Sequence, residues 1–283
     1  MSSLATTDAP RMIFGCGYLG RRVADLWTAN GRRVCALTRR NADELRARGI
    51  EPVTGDVLDP ESLKELPAAS TVLYAVGLDR TAGRSMREVY VNGLANVLDA
   101  LPACDRFVYV SSTSVYGQCD GSGVDERSLT TPTEESGRVV LEAEQLLRAK
   151  RPDAIILRFA GIYGPDRLLR KQAILKGEPL VGDAEKWLNL IHVNDGAAAV
   201  LLAESRGTPG ETYNIADGTP VTRRDFYTHL AELLGTEAKF EHKPEPGSAN
   251  RRIDASEFRG LGWLPAYPSY REGLTAAVAE SRM

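Results

Sequence analysis

The sequence predicts an α/β fold, a doubly wound parallel sheet with a smaller C-terminal lobe. Short apolar runs rich in β-branched residues alternate with amphipathic helical stretches through about residue 160. That alternation is the rhythm of βαβ units, whose sheet is covered by helices on both faces. The right-handed crossover rule makes double winding the leading arrangement. After about Gly161 the rhythm loosens, which predicts the separate smaller lobe.

The elements follow in order. RMIF (11–14), RRVCALT (32–38), IEPVTG (50–55), STVLYAV (70–76), RFVYVSS (106–112) and AIILRFA (154–160) read as strands. Between them LGRRVADLWTANG, ADELRARG, ESLKELP, MREVYVNGLANVLDALP and EESGRVVLEAEQLLRAK place apolar residues at helical spacing. Beyond Gly161, GIYGPDRLLRKQAILKGEPLVG reads as loop, helix and turn. WLNLIHVNDGAAAVLLAES is a strand entering a helix with Asp195 near its start. ETYNIADG is a further strand and turn, and TRRDFYTHLAELLG a helix. KFEHKPEPGSANRR is charged and broken by Pro and Gly, so it reads as loop with room for one edge strand. The tail closes on an amphipathic helix.

The first strand runs into Gly15, Gly17 and Gly20, a GxGxxG turn that opens a helix. Gly15 permits the tight turn, Gly17 lets backbone approach a pyrophosphate, and Gly20 allows close helix–sheet packing. With Tyr18 and Leu19, these residues put the first N–H groups of a helix where a diphosphate would lie. The bland alternative is a plain turn that binds nothing. Sites for NAD usually carry an acid about 20 positions further on. This chain has Thr38, Arg39 and Arg40 there, with no acid before Asp43. An arginine there suits a 2′-phosphate, so NADP is expected over NAD, unless Arg39 and Arg40 are merely a solvated strand end. Asp56 and the N–H of Val57 would meet the adenine, or Asp56 would cap the following helix. Val76 and Gly77, where the fourth strand ends, join the expected cofactor contacts. On this reading residues 1–160 form a dinucleotide-binding domain. Residues 161–283 form mainly a substrate lobe, with about 188–218 returning to the first domain.

Bulk properties exclude several classes. A hydrophobic content of 43%, a charged content of 26% and a net charge of -3 describe an ordinary globular chain. They give no electrostatic footprint for nucleic acid or an anionic membrane. No apolar run is long enough to span a bilayer, and MSSLATTDAP does not read as a secretory signal. Cys16, Cys35, Cys104 and Cys119 show no metal-ligand spacing and fit a reducing cytoplasm. His192, His229 and His242 lie far apart, so no metal site is expected.

Several further segments resemble one family. VNGLANVLDA, with Asn92, resembles a helix bearing an active-site-proximal asparagine. FVYVSSTSVYG resembles the strand that delivers a catalytic Ser or Thr, matched by Ser112 and Thr113. RFAGIYGP matches R-x-x-x-x-YGP through Arg158 and Tyr163, LIHVNDGAAAV matches an "hVdD" segment, and LGWLP with YREGL matches the C-terminal end. Together with the glycine turn they resemble the extended short-chain dehydrogenase/reductase superfamily and its NAD-dependent epimerase/dehydratase family. GxGxxG in place of GxxGxxG is similar to the atypical, YeeZ-like branch. The resemblance implies a Rossmann domain, a bound NAD(P), and cofactor contacts from Asn92 and Arg158.

It also implies a Tyr and a Lys four residues later, with the cation lowering the phenol pKa. None of the ten tyrosines has Lys at that spacing. The matching stretch reads SGRVV, with Ser136 in place of the Tyr and Val140 in place of the Lys. An unassisted serine hydroxyl is a far weaker acid than a phenol, and valine carries no charge. Ser112, Thr113, Tyr116, Tyr163 and Ser136 remain as candidate catalytic groups, with ordinary packing as the alternative for both tyrosines. Glu134 and Glu135 are candidate carboxylates or simple helix-start charges. His192 is expected to hydrogen-bond structurally or to contact substrate. Arg251 and Arg252, joined by Arg167, would form a pocket for an anion or plain surface charge.

The expected function is an NAD(P)-binding oxidoreductase resembling epimerases and dehydratases. Its substrate would be a hydroxyl- or carbonyl-bearing small molecule, sugar derivatives included. The alternative is a catalytically silent NADP-binding redox sensor or partner-binding protein. Val139, Val140 and Leu146 on the 134–150 helix suit either a homodimer interface or the core.

Overall fold

In the computed structural model the described chain is residues 9–281. The segment read for a secretory signal lies largely outside those residues. Seven strands form the main sheet: β1 (Arg11–Phe14), β2 (Val34–Thr38), β3 (Glu51–Thr54), β4 (Thr71–Tyr74), β5 (Arg106–Ser112), Ile155–Phe159 and Thr212–Ile215. Their order is Thr212–Ile215, Ile155–Phe159, β5, β4, β1, β2, β3. The pairs β1–β2, β1–β4, β2–β3 and β4–β5 are parallel, with Arg11 opposite both Val34 and Thr71. The expected doubly wound α/β fold is therefore the observed one. The chain steps outward through β2 and β3, then returns to the other side of β1 at β4. That reversal is the topological switch point, where sheets of this class bind ligands at their carboxyl edge.

The described residues divide into two compact units. The first runs to Ser112 and adds Arg138–Arg158 and Ala197–Thr212. The second comprises Thr113–Gly137, Phe159–Gly196 and the chain from Tyr213 onward.

In the first unit the helices α1 (Tyr18–Ala29), α2 (Ala42–Ala47), α3 (Gly93–Ala100) and α4 (Glu135–Lys150, from Arg138) accompany the sheet. ESLKELP forms only a 3₁₀ turn at Pro60–Leu63, begun by Pro60 and capped by the Asp59 carboxylate, which accepts the Glu61 N–H. MREVYVNG forms a π turn, Glu88–Asn92, before α3. Phe14, Tyr74 and Tyr109 stack along the sheet with centroids 6.0 and 5.8 Å apart. Val139, Ala143 and Leu147 of α4 belong to this core, with Leu146 packed against it, and Val140 is buried too. The apolar residues weighed for a dimer interface are thus used inside the chain. At the amino edge Glu204 accepts hydrogen bonds from Arg11 Nε (2.9 Å), Trp27 Nε1 (2.6 Å) and Thr71 Oγ1 (2.8 Å). One carboxylate thereby ties β1, α1 and β4 to the helix Val193–Arg206.

The second unit has its own core of Tyr163, Phe226, Leu230, Tyr270 and Leu274. Small strand pairs brace it, Leu190–His192 with Gly161–Tyr163 and Phe240–His242 with Leu180–Gly182. The latter is the edge strand for which KFEHKPEPG left room.

Candidate functional site

The glycine turn follows β1 directly. Gly15 has φ +91°, and a Cβ there would lie 2.3 Å from the Ala75 carbonyl oxygen. A Cβ on Gly20 would lie 2.4 Å from the Gly15 oxygen, so these two glycines are required by the protein's own backbone. Gly17 differs: a Cβ there would meet nothing within 4 Å. Its bareness leaves open room beside backbone instead of avoiding an internal clash. α1 begins at Tyr18 with no side-chain cap and no acid in its first turn. A cradle of open backbone at an uncapped helix N-terminus fits a diphosphate. Across the switch point, Gly77 after β4 is likewise open, and a Cβ there would also meet nothing within 4 Å. Leu19 is buried, and Tyr18 lies beneath Arg22, whose guanidinium sits 4.4 Å from the ring centroid.

At the end of β2, Thr38 Oγ1 accepts the N–H groups of Arg40 and Asn41. Arg39 is 49% exposed and stands between two carboxylates, 3.8 Å from Asp56 and 3.7 Å from Asp79. Asp79 was not legible as a partner, because it follows β4, and only the strand order brings β4 near the β2 end. Arg40 is exposed. Asp56 accepts the Leu58 N–H at 2.9 Å, while Asp59 caps the Pro60–Leu63 turn; the expected cap at Asp56 is corrected accordingly. The Val57 side chain packs under Gly93, and Val76 packs against the core. Asn92 is exposed at the end of the π turn, and it is Asn96 that reaches the Val57 carbonyl at 3.0 Å.

Arg158 lies in the strand Ile155–Phe159. It is buried, and its fork donates to Glu144 through Nε (3.0 Å) and Nη2 (2.7 Å). Glu144 also accepts Ser111 Oγ at 2.5 Å. Alternation along β5 turns Ser111 inward, and the next residue, Ser112, ends the strand half-buried at the carboxyl edge. The ion pair with Glu144 supplies the counter-charge that a buried guanidinium requires.

In the second unit Thr113 starts a short 3₁₀ turn, and its carbonyl accepts Arg251 Nη2 at 2.7 Å. Burial pushes the Arg251 pKa down. Arg252 is exposed, donating to the Gly121 carbonyl, with its guanidinium 5.7 Å from the Trp187 ring centroid. Tyr116 is buried and donates to Asn214 Oδ1 at 2.9 Å. Tyr163 is fully buried, edge-on to His192 and Phe226. A Cβ on Gly273 would lie 1.8 Å from the Tyr163 hydroxyl, so that glycine makes room for the phenol. Burial first, then Asp217 and Asp195 nearby, push the Tyr163 pKa up. Both tyrosines are buried. His192 is also fully buried, its Nδ1 accepting the Asn194 N–H and its ring 4.1 Å from Tyr267.

Ser136 is half-buried in the first turn of α4. Beside it, a Cβ on Gly137 would lie 2.3 Å from the Ser114 oxygen, so the helix start is pressed against the 113–115 turn. No sequence motif marks Asp217, a buried carboxylate with one oxygen unpartnered, which burial pushes up to about 7. Among the described residues no group of three or more His, Cys, Asp or Glu side chains is placed to hold a metal ion. No helix among them is long and apolar enough to cross a membrane.

The chain is similar to known proteins over most of its length. It is 32% identical over 272 residues to protein YeeZ of Escherichia coli K12, covering 90% of this chain and 95% of that one. It is 31% identical to a ketoreductase of Stigmatella aurantiaca that acts on a 3-oxo-dihydroquinoline-1-oxide, covering 87% of this chain and 80% of that one. Its fold matches the crystal structure of dTDP-glucose 4,6-dehydratase from Bacillus anthracis with a TM-score of 0.81 at 18% identity, over 97% of both chains. Residues 12–216 match the NAD dependent epimerase/dehydratase family, and with the YeeZ similarity this shows that the chain belongs to that family.

Proposed function

We propose that the protein is an NAD(P)-dependent oxidoreductase whose substrate is a small hydroxyl- or carbonyl-bearing molecule, sugar derivatives included. The observation that carries this reading is the open position at Gly17 between two glycines locked by backbone. The protein's own packing requires Gly15 and Gly20, whereas a bare Gly17 gains its use from something that approaches from outside. The first unit would hold the dinucleotide, with Gly15, Gly17 and Gly20 under the diphosphate and Gly77 beside the switch point. A bound nicotinamide dinucleotide supplies hydride transfer.

The pair that would tune a phenol is replaced by Ser136 and Val140. Ser112 and Thr113 at the end of β5 are the polar groups we assign to substrate contact, Ser112 as hydrogen-bond donor to the reacting oxygen. Arg251 and Arg252 are assigned to an anionic substrate group. The similarity to a ketoreductase supports a carbonyl as the reacting group. NADP is the preferred form in this reading. Arg39 is exposed, and ion pairs at such positions are worth only about 0–1 kcal/mol, so a 2′-phosphate can displace Asp56 or Asp79. The cytoplasm is the compartment proposed, on the four cysteines that form no disulfide.

Titration of Trp fluorescence with NADPH and NADH tests the reading. NADPH is expected to bind more tightly, and failure of both to bind overturns it. If binding occurs but a panel of ketones and nucleotide sugars leaves the nicotinamide absorbance unchanged, the silent redox sensor becomes the better account.

A further inference from the structure

Four tyrosines belong to the first unit, and their positions differ. Tyr74 and Tyr109 are buried in the stacked core, and burial pushes both phenols up. Tyr18 lies on the first turn of α1 under Arg22. Tyr90 is half-buried on the π turn Glu88–Asn92. Single π turns inside helices commonly accompany functional sites, because the extra residue turns a side chain out of the regular spiral.

The Tyr90 hydroxyl oxygen accepts the N–H of Leu78 at 3.2 Å. Leu78 follows Val76 and the open Gly77 in the loop after β4. β4 lies between β1, which carries the glycine turn, and β5, which ends at Ser112. The phenol is therefore held at the carboxyl edge of the strand flanking the switch point. The hydrogen bond from Leu78 fixes where the phenol oxygen sits.

We propose that Tyr90 is the proton-transferring phenol of this site, serving where Ser136 stands in the usual tyrosine position. The inference rests on the oxidoreductase reading above. In carbonyl reduction the Tyr90 O–H bond breaks and its proton passes to the carbonyl oxygen. The co-reactant would be a reduced nicotinamide dinucleotide, which would supply hydride for the carbonyl carbon and be oxidised as C=O becomes CH–OH. Water then returns a proton to the phenolate.

The test uses the full chain labelled with ¹³C at the tyrosine Cζ, with Tyr90 assigned by the signal lost in Tyr90→Phe. Adding NADP⁺ is expected to move the Tyr90 signal while those of Tyr116 and Tyr163 stay in place. Tyr90→Phe is expected to keep NADPH affinity within about threefold and to lower turnover of any ketone reduced by the wild type roughly 100-fold or more. If NADP⁺ binds by fluorescence and the Tyr90 signal does not move, the proposal falls while the oxidoreductase reading stands. Wild-type turnover in Tyr90→Phe has the same consequence. If neither dinucleotide binds, the oxidoreductase reading falls and takes this assignment with it.

Discussion

Glu144 in the first unit and Asp217 in the second are almost equally withdrawn from water, at 4% and 1% exposure. Glu144 accepts three hydrogen bonds, two of them from the Arg158 guanidinium. Asp217 accepts the Thr219 N–H on one oxygen and has no partner on the other. The guanidinium of Arg259 donates to the Asp217 main-chain carbonyl instead of its carboxylate. Burial alone does not decide the state of a carboxylate. A paired acid behaves as part of the scaffold, and a half-paired one keeps a proton into the neutral range.

The glycine turn repeats the contrast on a smaller scale. Gly15 is closed against Ala75, and Gly17 faces open space.

The largest effect is expected from Glu144→Ala, which leaves the Arg158 charge buried without its partner. Urea denaturation should show a loss of about 3–5 kcal/mol, and a loss below about 1 kcal/mol would mean that the pair is not scaffold. Asp217→Asn should act in the opposite direction and depend on pH. The folded-state pKa of about 7 lies above the ordinary carboxylate value of 3.8. Folded protein therefore binds more protons than unfolded chain between those values, and stability falls as pH rises through that window. The penalty is complete above about pH 7 and reaches about 4 kcal/mol. Asp217→Asn should raise the melting temperature at pH 8 and change it little at pH 4. An equal shift at both values would remove Asp217 as the titrating group.

Smaller effects are expected in the glycine turn. Gly15→Ala combines a left-handed backbone with a clash against main chain and should cost about 3 kcal/mol of stability. Gly17→Ala should leave stability within about 0.5 kcal/mol, the usual range for a surface change, while weakening dinucleotide binding roughly tenfold. A matched loss of stability in both variants would erase the distinction between them. The smallest change is expected at Arg39→Ala. Exposed ion pairs contribute about 0–1 kcal/mol, so melting should barely move, while NADPH affinity falls toward that of NADH.

Much of the fold was legible because its signals are local. The strand–turn–helix at Gly15, Gly17 and Gly20 shows within ten residues, although the crowding at Gly15 comes from Ala75, and the alternating runs mark most elements of the sheet. Asp59 and Pro60 start the single turn that ESLKELP forms. The candidate site was less legible. The partner of Arg158 could not be read, because nothing in RFAGIYGP reveals Glu144 facing it from α4. Asp79 gave no sign of Arg39, which lies forty residues earlier. Tyr90 carries no motif and owes its place to a π turn and to a hydrogen bond from the loop before it.

From the order of residues alone came the sheet class and the glycine turn after β1, since both show in runs of near neighbours. Tertiary structure alone decided which buried charges are paired, which tyrosines face the interior, and which glycine lies open. Those outcomes depend on strands and helices distant in sequence being packed side by side, where a partner a few ångströms away sets the cost of burying a charge or a hydroxyl.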